Sequence, residues 1–152
     1  MGRHHLRWLL LALLGCASGP STNPGTAPVS TPGAAYFLGS EWGLKDLGGT
    51  PVNPDASPTM AFAEAGKISG NASCNRFTGP VELGDGTIRV GTLASTRMAC
   101  SPEIAPQESA YLAALQNADR VVVQGQELLV YTRSLEKPLR FERRRCSLRG
   151  RR

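Results

Sequence analysis

The chain has 152 residues, with 17 basic and 12 acidic side chains and a formal net charge of +5. This length is enough for one domain with one modest core. Two arginines precede residue 16 and six follow residue 142, so residues 16–142 hold nine basic and twelve acidic groups. The basic excess lies at the two ends, and no nucleic-acid partner is therefore predicted for the folded part.

Residues 1–15 have the pattern of a secretory signal peptide. Arg3 and Arg7 precede an apolar run from residue 8 to residue 14. This run is too short to span a bilayer as a stable helix, whereas its length suits the apolar segment of a signal peptide. Residues 1–15 are therefore expected to be removed from the mature protein.

The end of this segment resembles the lipobox of bacterial lipoproteins, in which cleavage before a cysteine leaves that residue as the lipid-modified N-terminus. The resemblance implies lipidation of Cys16, a membrane partner, and a location in the bacterial cell envelope facing an oxidising compartment. Ala17 stands where an aspartate would favour the inner membrane, so the outer membrane, facing the periplasm, is expected. An ordinary signal peptide cut elsewhere, or a buried apolar start, is the alternative. The lipobox-like residues are Leu13, Leu14, Gly15 and Cys16.

A linker is predicted over residues 16–35. Residues 17–34 contain four prolines and neither a charged nor an aromatic side chain. Such a composition buries too little apolar surface to offset the entropy of ordering the chain. In polyproline geometry these residues would reach roughly 55 Å, enough to hold a domain clear of a membrane.

Short segments separated by turn residues predict antiparallel strands in the next part of the chain. Gly48 and Gly49 end the first of them, and the sequence Gly84–Asp85–Gly86 is a strong hairpin signal between the last two. The predicted strands are 41–47, 59–63, 67–72, 80–83 and 87–90.

One helix is predicted between Pro106 and Asn117. Tyr111, Leu112 and Leu115 recur at helical spacing, and Pro106 suits the first turn. Strands are predicted again over 120–124, 126–132 and 138–143. The fold class is α+β, a curved and partly barrel-like antiparallel sheet with one packed helix, over residues 36–143. The polar residues expected on the solvated side of the helix are Gln107, Glu108, Gln116 and Asn117.

The distribution of histidine restricts the chemistry of the mature protein. The only histidines, His4 and His5, lie in the segment expected to be removed. This excludes histidine-based catalytic triads and histidine-ligated metal sites, and no metal or cofactor is predicted. An enzyme would need carboxylates to pair, yet the candidates lie at predicted turns, so no catalytic residue is assigned. These candidates are Glu64, Glu82 and Asp85.

Three cysteines remain once Cys16 is set aside as lipidated. In an oxidising compartment the natural pair is Cys74 with Cys100, and a disulfide closing this loop would add roughly 3 kcal/mol of stability. A reduced buried pair and a catalytic or redox pair are the alternatives, although the spacing is not that of a CxxC motif. Cys146 lies among the arginines of the tail, as a free thiol or a site of intermolecular pairing, and its role stays open.

Two sequence signatures carry a resemblance to a known family. They are SGNASCNRFTG at 69–79 and STRMAC at 95–100, followed by the predicted helix and the closing strand LRFER. In this order they resemble the META domain over about residues 38–143. Ser73 and Val81 depart from the family's usual glycine and aromatic residue. The resemblance implies a compact β-rich domain linked to envelope stress or resistance to toxic compounds, with no established catalytic activity.

The signature residues allow two interpretations. They either shape the bends of the chain, with Gly79 allowing a tight bend before Pro80 and Met98 as a plug in the core, or meet across the cysteine pair as a polar recognition patch for an anionic group. The residues of this predicted patch are Asn75, Arg76, Thr96 and Arg97.

The basic tail, residues 144–152, is interpreted as a disordered, solubilising end or as a contact for anionic envelope lipid or polymer.

The predicted function is that of a non-catalytic, lipid-anchored envelope protein. The alternative is an envelope lipoprotein that binds a small ligand or inhibits a hydrolase. An open apolar cavity of several hundred Å³ would favour this alternative.

Overall fold

A computed structural model of the chain describes residues 29–144, with side chains from residue 31 onward. Eleven strands, two α-helices and one short 3₁₀ helix form this part of the protein. In chain order they are β1 (Val29–Ser30), α1 (Ala34–Phe37), β2 (Glu41–Leu47), β3 (Thr50–Pro51), the 3₁₀ helix (Pro54–Ala56), β4 (Thr59–Glu64), β5 (Lys67–Asn71), β6 (Arg76–Leu83), β7 (Ile88–Val90), β8 (Ala94–Ser95), α2 (Ala105–Gln116), β9 (Ala118–Gln124), β10 (Glu127–Thr132) and β11 (Leu139–Arg143).

The strands form one antiparallel sheet that curls almost into a closed barrel. Its order is β1-β9-β10-β11-β2-β4-β5-β6-β7, with β3 beside β2 and β8 beside β6. Near the two ends of this order, Thr87 forms an isolated antiparallel bridge with Arg120, and the Val121 N–H donates to the Gly86 carbonyl over 2.9 Å. These contacts bring β7 against β9. The predicted fold class, a curved and partly barrel-like sheet with one packed helix, is confirmed.

The interior is filled by the apolar side chains that alternate along the strands. Trp42 and Leu44 are buried in β2, and Phe62 is buried in β4. Burying a side chain of this size stabilises the fold by about 1.5–3 kcal/mol. The one polar group of Trp42 is also satisfied, because its Nε1–H donates to Ser40 Oγ over 2.8 Å. Helix α2 adds Tyr111 to the same core, with its ring centroid 6.2 Å from that of Phe141.

Most of the longer elements match the predicted ones closely, but β6 begins at Arg76, four residues before the predicted strand 80–83. β2 has the predicted bounds, α2 begins and ends one residue before the predicted helix, and Pro106 lies in its first turn. Among the described residues, no helix is long and apolar enough to cross a membrane.

The prediction of a linker up to residue 35 was wrong at its C-terminal end. β1 pairs with β9, through Val29 with Gln124 and Ser30 with Val123, and the fully buried Phe37 ends α1. The linker was inferred from side-chain composition, but the pairing of β1 uses backbone groups, which an exposed strand edge offers to any sequence. Residues 16–28 lie outside the described part of the chain.

The bend predicted between Gly79 and Pro80 was also wrong, because β6 runs through both residues. Pro80 lies opposite Lys67 in the ladder with β5. Gly79 instead permits a close crossing of the chain. A side chain there would come within 2.8 Å of the Thr92 carbonyl oxygen.

Candidate functional site

Both predicted signatures meet at the first turn of α2, where Glu108 accepts hydrogen bonds from the loop before β6. The backbone N–H groups of Cys74 and Asn75 donate to its Oε2 over 3.0 and 2.7 Å. The side-chain amide of Asn75 donates to its Oε1 over 2.7 Å. Both carboxylate oxygens are therefore occupied by N–H groups of one short segment.

The surroundings of Glu108 favour its ionised form. Partial burial acts to raise the pKa of this carboxyl. The hydrogen bonds from the Asn75 side chain, the Asn75 N–H and the Cys74 N–H act in the opposite direction, and together they hold the pKa of Glu108 below its usual value. Because these donors stabilise the charged form, Glu108 is suited to holding the loop and not to delivering a proton near neutral pH.

Asn75 connects that loop to the second signature. Its Oδ1 accepts the Thr96 hydroxyl over 2.9 Å and the Met98 N–H over 2.7 Å. Its side chain is buried, with 4% of the residue exposed. The amide thus bridges the helix and both signature loops. We call Asn75, Thr96 and Glu108, with the Cys74–Cys100 pair, the signature lock.

Cys74 and Cys100 are joined in a disulfide, with 5.9 Å between their Cα atoms. Their sulfur atoms and a carboxylate oxygen of Glu108 lie within 4.8 Å of one another. A cluster of this kind holds a metal ion only through thiolates, and a disulfide has none. The arrangement in the structure is therefore a cross-link beside a carboxylate.

Gln107 makes a second set of contacts on the same turn of α2. Its Oε1 accepts the Asn53 N–H over 2.7 Å. Its Nε2 donates to the Ala56 carbonyl over 3.0 Å and to Ser73 Oγ over 2.8 Å. Ser73 has a φ of +125°, the only positive φ at a non-glycine residue in the described part of the chain. The Gln107 contact helps to hold this unfavourable backbone conformation.

The placement of Gln107 and Glu108 on the solvated side of the helix was wrong. Both are partly buried and face the loops, whereas Gln116 is exposed as predicted. Glu108 lies three, four and seven residues before Tyr111, Leu112 and Leu115, so it belongs to the inward stripe of the helix by spacing. The sequence therefore contained the signal that Glu108 faces inward, although the residue was assigned to solvent.

The predicted recognition patch is not displayed as a whole: Arg76, Thr96 and Arg97 are exposed, but Asn75 is not. Asn75 is buried, and the Thr96 hydroxyl is engaged by Asn75 and by the Arg76 N–H, which donates over 3.1 Å. Met98 was expected to fill the core, but 61% of it is exposed, and its contact with Asn75 is made by its backbone N–H.

Tyr111 connects α2 to the sheet. Its hydroxyl donates to the Thr59 carbonyl over 3.1 Å, and burial raises its pKa well above the usual value.

We expect Tyr111→Phe to lower the free energy of unfolding by about 1–2 kcal/mol, because it removes one buried hydrogen bond. Urea unfolding measures this, with Tyr131→Phe as the control on a half-buried tyrosine of β10. Equal stability of the two variants would contradict the assignment.

An apolar cleft lies apart from the signature lock, between α1, the β4–β5 turn and the end of β6. Its volume is about 400 Å³. Buried aromatic side chains, Phe37 and Phe62, contribute to its lining, and so do the exposed residues Glu64 and Glu82. Asp85, the third candidate for a catalytic carboxylate, does not line this cleft. A carboxyl that acts as a general acid near neutral pH needs surroundings that exclude water. Glu64 and Glu82 are solvent-exposed and therefore do not suit this role.

Comparison with known proteins relates this architecture to others. The family model of the META domain matches residues 35–145. Heat shock protein HslJ of Escherichia coli (strain K12) is 32% identical over 91 residues, which are 59% of this chain and 64% of that protein. The chain therefore spans slightly less than two thirds of the length of this relative.

Solved structures share the fold. An NMR structure of a protein from Burkholderia xenovorans is similar with a TM-score of 0.61 and 28% identity, covering 84% of this chain and 99% of that one. A DUF4847 family protein from Bacteroides vulgatus has a TM-score of 0.51 at 16% identity, covering 71% of this chain and 94% of that one, and supports the fold alone. With a family match over nearly the whole folded part, this chain belongs to the META domain family.

Proposed function

We propose that this protein is a non-catalytic, lipid-anchored protein of the bacterial cell envelope, acting in envelope stress or in resistance to toxic compounds. The observation that carries the proposal is the lipobox-like sequence ending at Cys16, followed by an uncharged, proline-containing stretch and then by a META domain. This order suits a domain held at a distance from an outer-membrane surface that faces the periplasm. The name of the similar heat shock protein supports the link to stress.

The arrangement of the signature lock supports a non-catalytic role. The disulfide joins the two cysteines, and the carboxylate of Glu108 is occupied by three N–H donors. No histidine follows His5 in the sequence. The groups that lie together in the lock therefore hold the chain in place and leave no free nucleophile beside a base.

The basic tail supplies a second membrane contact in this proposal. Arg144 belongs to the domain instead of the tail, because its side chain pairs with Glu41 over 3.0 Å and its N–H donates to the Glu41 carbonyl. Residues 145–152 lie outside the described part of the chain and include Cys146. In this proposal their four arginines attract anionic lipid or polymer of the envelope.

Complementation of a deletion strain tests the proposed role. We expect the strain to grow less well than its parent under heat, detergent or antibiotic challenge, and the unaltered gene to restore growth. A Cys16→Ala chain should restore it poorly, because it cannot be anchored through that residue. Cys146→Ala is the matched control and should restore growth fully. Equal resistance of the deletion strain and its parent under every challenge would contradict the proposal.

A second candidate function, binding of a small ligand, is favoured by the apolar cleft. Its volume of about 400 Å³ lies within the range of about 300–1,000 Å³ typical of ligand sites. Hydrolase inhibition, the other part of the predicted alternative, has no comparable feature in its favour among residues 29–144.

A further inference from the structure

We propose that the apolar cleft binds cationic amphiphiles, molecules with a compact apolar body and a positively charged amine or ammonium head. The inference deepens the ligand-binding candidate by naming its ligand class. It rests on the lining and the charges of the cleft and does not depend on the lipid anchor.

The floor of the cleft is apolar. Phe37, Phe62 and Val81 line it, with 0%, 2% and 4% of each residue exposed. These side chains come from α1, β4 and β6, so three separate elements fix the shape of the floor. An apolar group lying on it would leave water without disturbing any buried polar group.

The wall of the cleft contains an apolar side chain that the fold itself leaves in water. Leu38 lines the cleft and is 57% exposed, among the most exposed of the large hydrophobic residues described. It follows α1 directly. An apolar ligand on the floor would also cover this leucine, which adds to the area removed from water.

The charged groups that line the cleft are both acidic. They are Glu64, at the end of β4, and Glu82, near the end of β6. Among the described residues, no lysine or arginine contributes to the lining. Lys67 pairs with Glu64 over 3.5 Å, and Arg89 lies opposite Glu82 in the ladder, but both stand outside the cleft.

This combination selects a chemical class of ligand. An apolar floor would accept any hydrophobic body of suitable size, so the charge of the head group decides between ligands. A cation near two carboxylates is attracted, and an anion of the same shape is repelled. The volume of about 400 Å³ limits the apolar part to an alkyl chain or to one or two rings.

Calorimetry with a matched pair of amphiphiles tests the proposal. The full chain with Cys16→Ser avoids acylation at that residue, so the protein can be handled without competing detergent. Dodecyltrimethylammonium and dodecyl sulfate carry the same alkyl chain and opposite charges, and each is used below the concentration at which it forms micelles. We expect saturable binding of the cation at one site, about tenfold tighter than that of the anion.

Two pairs of variants assign the binding to the cleft. Glu64→Gln with Glu82→Gln should reduce the preference for the cation to about threefold or less, since most of the attraction is lost. Glu127→Gln with Glu142→Gln changes the net charge equally, at one half-buried and one exposed position that do not line the cleft, and should keep the preference. Leu38→Ser should weaken binding of both amphiphiles, whereas Leu135→Ser, at another exposed leucine, should not.

Three outcomes would overturn the inference. They are the absence of saturable binding, equal affinity for the two amphiphiles, and an unchanged preference in the Glu64→Gln, Glu82→Gln variant. Each of them leaves the proposed envelope role standing, because binding is measured without the anchor. Failure of the complementation experiment would in turn leave the binding result intact.

Discussion

Glu108→Gln is expected to lower the free energy of unfolding by about 3 kcal/mol, as hydrogen bonds to a charged group contribute about 1.5–3 kcal/mol each and are not additive. The carboxylate accepts N–H groups of Cys74 and Asn75 at both oxygens. A glutamine in its place has one acceptor oxygen only. Its NH₂ group would face one of these N–H donors and leave that donor without an acceptor. Urea unfolding at pH 7 measures the difference.

Glu136→Gln is the control for this prediction. Glu136 is an exposed residue in the turn before β11, and substitutions at such positions usually change stability by less than about 0.5 kcal/mol. If Glu108→Gln cost no more than this control, the signature lock would not stabilise the domain as described.

The same residue should make stability depend on acidity in a defined direction. The pKa of Glu108 is lowered in the folded protein from an ordinary value of 4.5. Its contribution is therefore fully present above pH 4.5 and is lost as the pH falls through the lower, folded-state pKa. The stability gap between the unaltered protein and Glu108→Gln should narrow as the pH is lowered from 4.5 into the acid range. A gap that stayed constant over this range would show that the ionised form is not what the loop requires.

Cys74→Ser is expected to lower the free energy of unfolding by a similar amount, because it removes a cross-link that restricts the unfolded chain. The disulfide joins residues 26 positions apart, and a loop of this length is worth about 3 kcal/mol in the chain-entropy model. For a domain of this size such a loss lowers the melting temperature by roughly 10 to 20 °C. Differential scanning calorimetry measures the change.

Cys146→Ser is the matched control for the disulfide. It also removes one thiol, but it lies outside the described residues and should leave the melting temperature unchanged. Reduction of the unaltered protein should reproduce the effect of Cys74→Ser. If the Cys74→Ser variant melted at the same temperature yet failed to restore growth, Cys74 would have a role in activity and not in stability.

The elements predicted correctly are those whose local pattern of apolar and turn residues matches the burial seen in the structure. Gly48 and Gly49 marked the end of β2, and the spacing of Tyr111, Leu112 and Leu115 placed α2 within one residue. The glycines around Asp85 correctly placed the turn between β6 and β7. These signals are local, because each depends on neighbours within one or two turns of the chain.

The elements that the sequence did not predict depend on distant partners. β1 exists through its pairing with β9, almost a hundred residues further on, and β8 through its pairing with β6. Neither is long enough to show a period. Gly79 looked like a bend residue, whereas it makes room for the chain at Thr92, a crossing that no local pattern encodes.

The sequence identified most residues of the candidate site but not how they are arranged. Both signatures and the cysteine pair were identified, but whether Asn75 shapes a bend or is displayed in a patch stayed open, and the structure shows that it is buried. The reason is that its partner, Glu108, was assigned to solvent by residue type instead of by position. A glutamate on the inward stripe of a helix predicts a buried set of donors, and the N–H groups of residues 74 and 75 are those donors.

Mass spectrometry of the protein extracted from membranes tests the central claim, that this META domain is anchored to the envelope by lipid at Cys16. The account predicts that residues 1–15 are absent and that the first residue is an acylated Cys16. A chain that begins at another residue, or that carries an unmodified Cys16, would contradict it.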